Sequence, residues 1–217
     1  MSINKWRNDY ERQLQIAESQ MAPKISRYYQ GEYNKGVANF IETGNTDYQS
    51  LFKFDFFKNI YIEIYANVSM RFANWYARNI NKYDIKANPK QFTQNWRSAF
   101  NYYAGKVAAT NVVLVSGTAK KTLISLTQRL YRDPNFVSLG ANERARILRK
   151  QFKKYSNYQA IRLVRTESTR AANYGIEQSA LSVYAGQKLK KQWITALDGR
   201  EREWHAAAHN QIVEIGR

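Results

Sequence analysis

The chain has no cysteine in 217 residues, which excludes disulfide bridges, thiol catalysis and thiolate zinc sites. Histidine is nearly as scarce: His205 and His209 are the only two, so imidazole chemistry could come from one short stretch alone. Three prolines and ten glycines leave few points at which a helix is interrupted. No apolar run approaches the roughly 20 residues that a membrane-spanning helix needs. The longest apolar-rich run, Val107 to Val115, carries Thr110 and Asn111. The N-terminal MSINKWRNDYERQ lacks the basic start and apolar core of a secretory signal, and no membrane partner is expected. Acids are the other shortage, with 17 Asp and Glu against 34 Lys and Arg, a formal net charge of +17. Such a chain attracts polyanions, repels copies of itself and responds strongly to salt. Nucleic acid is therefore the first partner to consider; a solvated basic face or an acidic protein partner are the other accounts of the same charge.

What is present is a folding chain, 44% hydrophobic and 14% aromatic, whose apolar residues recur at steps of three and four, the period of an amphipathic helix. Ile3, Trp6, Tyr10, Leu14, Ala17 and Met21 share one helix face. Ile25, Tyr29, Tyr33, Val37 and Phe40 share another beyond Pro23, which is expected to kink or divide the helix. TGNTD at 43–47 reads as the turn that ends it. Phe52, Phe54 and Phe56 alternate as in a strand, but Phe57, Ile60, Ile64, Val68, Phe72 and Trp75 predict a helix. Asn88 and Pro89 form a start signal, a capping side chain followed by proline at the first helical position. The stripe behind them runs through Phe92, Trp96, Ala99, Tyr103, Val107, Thr110 and Leu114. SGT at 116–118 is expected to break it, with Ala119, Leu123, Leu126 and Leu130 carrying a shorter helix to RDPN.

In NERARILRKQFKK, Ala141, Ala145, Leu148 and Phe152 fall on one side of a helix and Arg146, Arg149, Lys150 and Lys153 on the other. Gly140 to Arg165 is the densest basic block in the chain, eight basic residues against one acid, Glu143. Charge stripes are usually solvent faces. In a chain already at +17, this one is the first choice for a phosphate-contacting surface, with Arg144, Arg146, Arg149, Lys150, Lys153, Lys154, Lys120 and Lys121 as candidate DNA-binding residues.

Ser156 or Asn157 is expected to cap a further long helix that stops at Gly186. Its seam, Ile161, Val164, Ser168, Ala171, Gly175, Ser179 and Ser182, is small enough for another helix to approach closely, within the chain or from another copy. Beyond Gly186, KKQWITAL and QIVEI are β-like, with an Asp-Gly turn and the helical EREWHAAAH between them. The fold class expected is mainly α: an elongated bundle of amphipathic helices with a small C-terminal α+β unit. The division expected is a helical body over 1–155 and a second domain over 156–217.

His205 and His209, four apart on a helix, could hold a divalent metal with Asp198 or Glu203. The spacing matches the zinc-hydrolase HExxH pattern, but its glutamate base is absent, because Ala206, Ala207 and Ala208 fill the middle. Three alanines cannot move a proton, so no catalytic residue and no cofactor are assigned. His205, His209 and Asp198 remain the metal candidates. Asp198 has an ordinary role available in capping the helix after Gly199, and Glu201 and Glu203 suit that helix's positive end.

IRLVRTESTRAANYGIEQSA, followed by a glycine and KQWITALDGREREWHAAAHNQ, resembles the core of the phage Mu F-like head morphogenesis family of minor head proteins. The family pattern has Arg-Thr-Glu on a helix, then Asn, a Trp in a strand, and Asp, Arg and His in close succession. These fall on Arg165, Thr166, Glu167, Asn173, Trp193, Asp198, Arg200 and His205. The resemblance covers about the last 60 residues. Asn210 and Gln211 stand where members often carry Gly-Gln. Members also run on into further strands and a cysteine-containing tail, so the resemblance implies a domain that is either truncated or diverged at its end.

The resemblance implies a minor structural protein of a tailed-phage head. It would be present in several copies, assembled in the host cytoplasm and lodged in the capsid interior near the portal vertex. Its partners would be the portal protein, neighbouring head proteins and non-specifically bound double-stranded DNA, and the motif residues would be structural. Two other readings stand beside it: a metal-dependent nuclease or other hydrolase using His205 and His209, and an adaptor whose charge meets an acidic protein.

Overall fold

A computed structural model describes residues 3–43, 50–80, 88–195 and 203–215. In chain order they form α1 (Ile3–Thr43), α2 (Phe54–Ile80), α3 (Pro89–Tyr131), α4 (Pro134–Val137), α5 (Ala141–Val183), β1 (Lys190–Gln192), α6 (Glu203–Ala208) and β2 (Ile212–Glu214). The fold is mainly α with a small C-terminal α+β unit. At 1.5 Å per residue the longest helices reach roughly 65 Å, which makes the bundle elongated. No helix among the described residues is long and apolar enough to cross a membrane.

The apolar stripes select the partners. α5 runs antiparallel to α1, with Ser26 against Asn157 and Tyr10 against Asn173. It runs parallel to α2, where Tyr65 meets Glu167 and Ser69 meets Ala171. α3 lies against α2 through Tyr65 and Tyr103. Aromatic rings fill much of the core: Tyr33 stacks on Phe152 at 4.8 Å, and Tyr29, Phe52, Phe57 and Phe72 are fully buried.

Between α2 and α5 the backbones almost touch. A Cβ added to Gly175 would lie 2.3 Å from the carbonyl oxygen of Ser69. Ser69 Oγ donates to the Ala171 carbonyl at 2.8 Å, and Ser179 Oγ donates to the Ala73 carbonyl at 2.9 Å. The small-residue seam is thus an intramolecular helix pair. Ile161 is not part of it, being exposed, and Ser182 instead accepts from Trp96 Nε1 at 2.9 Å.

Several expected breaks are absent. α1 runs through Pro23 undivided, because Ala17, Met21, Ile25 and Tyr29 are buried on both sides of it and their packing outweighs one lost hydrogen bond. α3 likewise runs through SGT: Ser116 Oγ donates to the Phe52 carbonyl at 2.8 Å, and Ala119 and Leu123 continue the buried stripe. Ser156 and Asn157 cap nothing, since α5 is one helix from Ala141. Ser156 is buried and its hydroxyl donates back to the Phe152 carbonyl at 2.8 Å, which satisfies it in mid-helix. The division at 155/156 therefore falls inside a continuous helix that packs on α1 on both sides of it, with Phe152 stacked on Tyr33 before it and Asn157 against Ser26 after it.

Other signals are realised. Asn88 caps α3, its side chain accepting from Lys90 N at 3.2 Å with Pro89 first in the helix. Gly186 has φ +81° in the turn that follows α5, although the helix itself stops at Val183. The helix read over Phe57–Trp75 begins at Phe54; the alternating Phe52 is not in a strand but is buried at φ 54° before it. Most of the turn placed at 43–47 lies outside the described residues.

β1 and β2 pair antiparallel, Lys191 opposite Val213. The ladder continues as Trp193 N–H donates to the Gln211 carbonyl and Asn210 N–H to the Trp193 carbonyl, both at 2.8 Å. Lys191 ties this unit to α5 by an ion pair to Glu177 at 3.0 Å.

Candidate nucleic-acid interface

The basic surface follows from the burial of α5. Ala145, Leu148, Phe152, Ala160 and Val164 are buried, which turns Arg146, Arg149, Lys150, Lys153, Lys154, Arg162 and Arg165 outward. The acids of α5 do little to neutralise them. Glu143 is taken by Arg146 through contacts of 2.9 and 3.1 Å to its Nε. Glu177 is taken by Lys191, and Glu167 is in the core. From Arg144 to Thr166 the helix contains no acid. Across the α1 boundary Glu18 faces Arg165: burial pushes its carboxyl up and the guanidinium opposes this.

Not every sequence candidate joins this face. Arg144 is half-buried, with its Nε enclosed and without a partner among the described residues. Lys120 and Lys121 belong to α3. That helix meets α5 through Trp96, Phe100 and Tyr103. Arg162 is on the open face and was not singled out by the sequence; its position opposite the buried seam was the signal. α3 adds a second acid-poor surface, with six basic and no acidic residues over its whole length.

The family-like residues separate by environment. Arg165 and Thr166 are exposed, whereas Glu167 is buried between α2 and α5. It accepts from Tyr65 Oη and from Arg170 Nη1, each at 3.0 Å. Burial raises its carboxyl above the usual range, opposed by Arg170 and by the Tyr65 hydrogen bond. The same enclosure pushes the Tyr65 phenol up strongly. Asn173 is exposed and its Oδ1 accepts from Tyr10 Oη at 3.3 Å; burial raises that phenol to about 12. Trp193 is half-exposed in the ladder. Asp198 and Arg200 lie outside the described residues, as does the side chain of His205.

The raised Glu167 carboxyl has a consequence for stability. A carboxyl with a higher pKa folded than unfolded favours the folded state most at low pH, and that contribution is lost as pH rises from the unfolded value through the folded one. Glu167→Gln keeps one oxygen to accept from Arg170, leaves an amide N–H that can donate to the Tyr65 oxygen in place of the second acceptor, and removes the ionisation. The Tm of this variant is therefore expected to gain on wild type between pH 4 and pH 7. A difference in Tm that stays constant over this range would contradict the assignment.

Of the metal candidates only the side chain of His209 lies among the described residues. His209 lies just beyond α6, and its Nδ1 accepts from Thr195 N–H at 3.1 Å. Among the described residues no three His, Asp or Glu side chains cluster as a metal site would require. A cleft between α1 and the start of α2 has Glu32, Lys35, Lys53 and Asp55 on its walls. Glu32 is committed there, accepting from Phe52 N–H at 3.0 Å and pairing with Lys35.

Comparison with protein-family models, characterised proteins and solved structures finds no match to this chain. The basic face of α5 is thus the candidate site on the strength of its own chemistry.

Proposed function

We propose that the chain is a structural minor head protein of a tailed phage, not an enzyme, that contacts packaged double-stranded DNA through the outer face of α5. It associates with the portal protein and neighbouring head proteins at the portal vertex inside the capsid, in several copies, after assembly in the host cytoplasm. One observation carries the DNA contact: Arg149, Lys150, Lys153 and Lys154 are exposed on a helix stretch that has no acid between Arg144 and Thr166. The head assignment draws on the family resemblance over Arg165 to His205 and on the net charge of +17. A protein so charged is unfavourable to gather in copies unless phosphates or acidic surfaces neutralise it.

Binding should be non-specific in sequence and steeply salt-dependent. About six phosphate contacts at roughly 0.9 counterions each give a log–log slope near −5. Titration of the full chain with random-sequence duplexes from 50 to 300 mM NaCl measures it. A slope near zero would overturn the DNA reading. Capture of the portal protein in the presence of DNase tests the head assignment separately, and failure to retain portal would overturn that part.

A further inference from the structure

Every residue of β1 and β2 is exposed. Two strands alone are marginal in water, and a third strand or a packed face ordinarily completes such a sheet. Of thirteen large hydrophobic residues exposed among the described residues, five belong to this small unit: Trp193, Ile194, Trp204, Ile212 and Val213. The unit therefore presents an apolar surface beside a strand edge.

The ladder shows which backbone groups lie on that edge. The Leu189 carbonyl accepts from Ile215 N–H at 3.0 Å, and Trp193 exchanges bonds with Gln211 and Asn210 at 2.8 Å. Leu189 and Trp193 thus face β2, as does Lys191 opposite Val213. Alternation along a strand turns the N–H and C=O groups of Lys190, Gln192 and Ile194 the other way. The β2 side is less regular. Asn210, at φ 66°, and Gln211 both stand against Trp193 as a bulge, and bulges work against strand addition.

Charge selects the occupant. Lys188, Lys190 and Lys191 are exposed at one end of β1 and Trp193 and Ile194 at the other, with no acid between Glu177 and Asp198. Glu177 is taken by Lys191. Lysines on an edge deter pairing with a chain of the same charge, and a second copy brings a further +17. An acidic strand is attracted there, whereas Glu214 on β2 repels it from the opposite edge.

We infer that the open edge of β1 takes an extended, acidic segment of another protein as a third strand. The acids of that segment lie beside Lys188 and Lys190, and its apolar residues lie beside Trp193 and Ile194. This deepens the protein-partner half of the reading above, resting on it only in that the chain docks on other proteins, and uses nothing of the DNA face.

The probe is the fluorescein-labelled peptide Val-Thr-Val-Thr-Glu-Thr-Glu, which antiparallel to β1 sets its valines and glutamates in those places. The full chain is expected to bind it, and to bind the same peptide with lysine in place of glutamate roughly tenfold more weakly. Gln192→Pro removes an N–H that points away from β2 and leaves the charge unaltered, so affinity should fall roughly tenfold. Ile212→Pro, the same change on the other edge, should stay within about twofold of wild type. In the unaltered chain, bound peptide should slow amide hydrogen exchange in the stretch from Lys188 to Ile194 and leave Ile212 to Ile215 unchanged, which decides the case if proline disturbs the sheet. Exchange unchanged from Lys188 to Ile194, or wild-type binding by Gln192→Pro, would overturn strand addition and leave net charge as the holder of the peptide. Self-association near 0.5 M NaCl, where repulsion between copies is screened, that Gln192→Pro abolishes would overturn the acidic partner in favour of a second copy. Peptide binding without portal capture would overturn the head assignment alone, and portal capture without peptide binding would overturn strand addition alone.

Discussion

Gly175→Ala is expected to destabilise the protein by about 3 kcal/mol, the upper end of the usual overpacking range, and to lower Tm by roughly 6–12 °C for a chain of this size. The reason is geometric. The new methyl would stand 2.3 Å from the Ser69 carbonyl oxygen and 2.9 Å from its Cα, and both are backbone atoms that no rotamer change can move. Relief requires α2 and α5 to separate, which stretches the Ser69–Ala171 and Ser179–Ala73 hydrogen bonds and leaves buried carbonyls short of donors. Gly105→Ala and Gly117→Ala are the controls. Both positions lie inside α3, and a Cβ added at either meets nothing within 4 Å. Each should stabilise by about 0.5–1 kcal/mol through helix propensity alone. Thermal or urea unfolding of the three variants reads all of this, and a Gly175→Ala protein as stable as wild type would refute the close helix pair.

Reversing Arg149, Lys150, Lys153 and Lys154 to glutamate should cost DNA binding about three to four orders of magnitude near 0.1 M salt. Four phosphate contacts release roughly 3.6 counterions, each worth about a decade at that concentration, and the new carboxylates add repulsion. The fold should survive, because all four side chains are exposed and the packed side of this stretch is Leu148, Phe152 and Ser156. The matched control is reversal of Lys120 and Lys121, which belong to a different helix, α3, and is expected to weaken binding far less because it removes two charges instead of four. Fluorescence anisotropy with a duplex probe separates the two sets. Equal losses would mean that diffuse net charge, and not one helix face, holds the DNA.

The interface was partly legible before the structure. The opposition of Arg146, Arg149, Lys150 and Lys153 to Ala145, Leu148 and Phe152 is a local property of 3.6-residue periodicity, and it survives folding intact. Arg162 and Arg165 were harder to place, because the packed seam of α5 shifts from Leu148 and Phe152 to Val164 and Ala171 as the helix passes its neighbours. Only the neighbours fix where solvent begins. Glu167 shows the same limit from the other side: its three-letter context says nothing of Tyr65, which is distant in sequence and close in space at 3.0 Å.

By itself the sequence determined the helical class, the excess of positive charge, the cap at Asn88, the left-handed Gly186 and the β-like ends around α6. These depend on backbone preference and on neighbours one or two turns away. Tertiary structure decided that α1 is not divided at Pro23, that α3 continues through Gly117 and that Ser156 lies inside a helix instead of starting one. A helix-breaking residue costs about 1–3 kcal/mol, while each large side chain buried on both sides of it contributes about 1.5–3 kcal/mol. Where a stripe such as Met21, Ile25 and Tyr29 bridges the weak point, packing wins over the local signal.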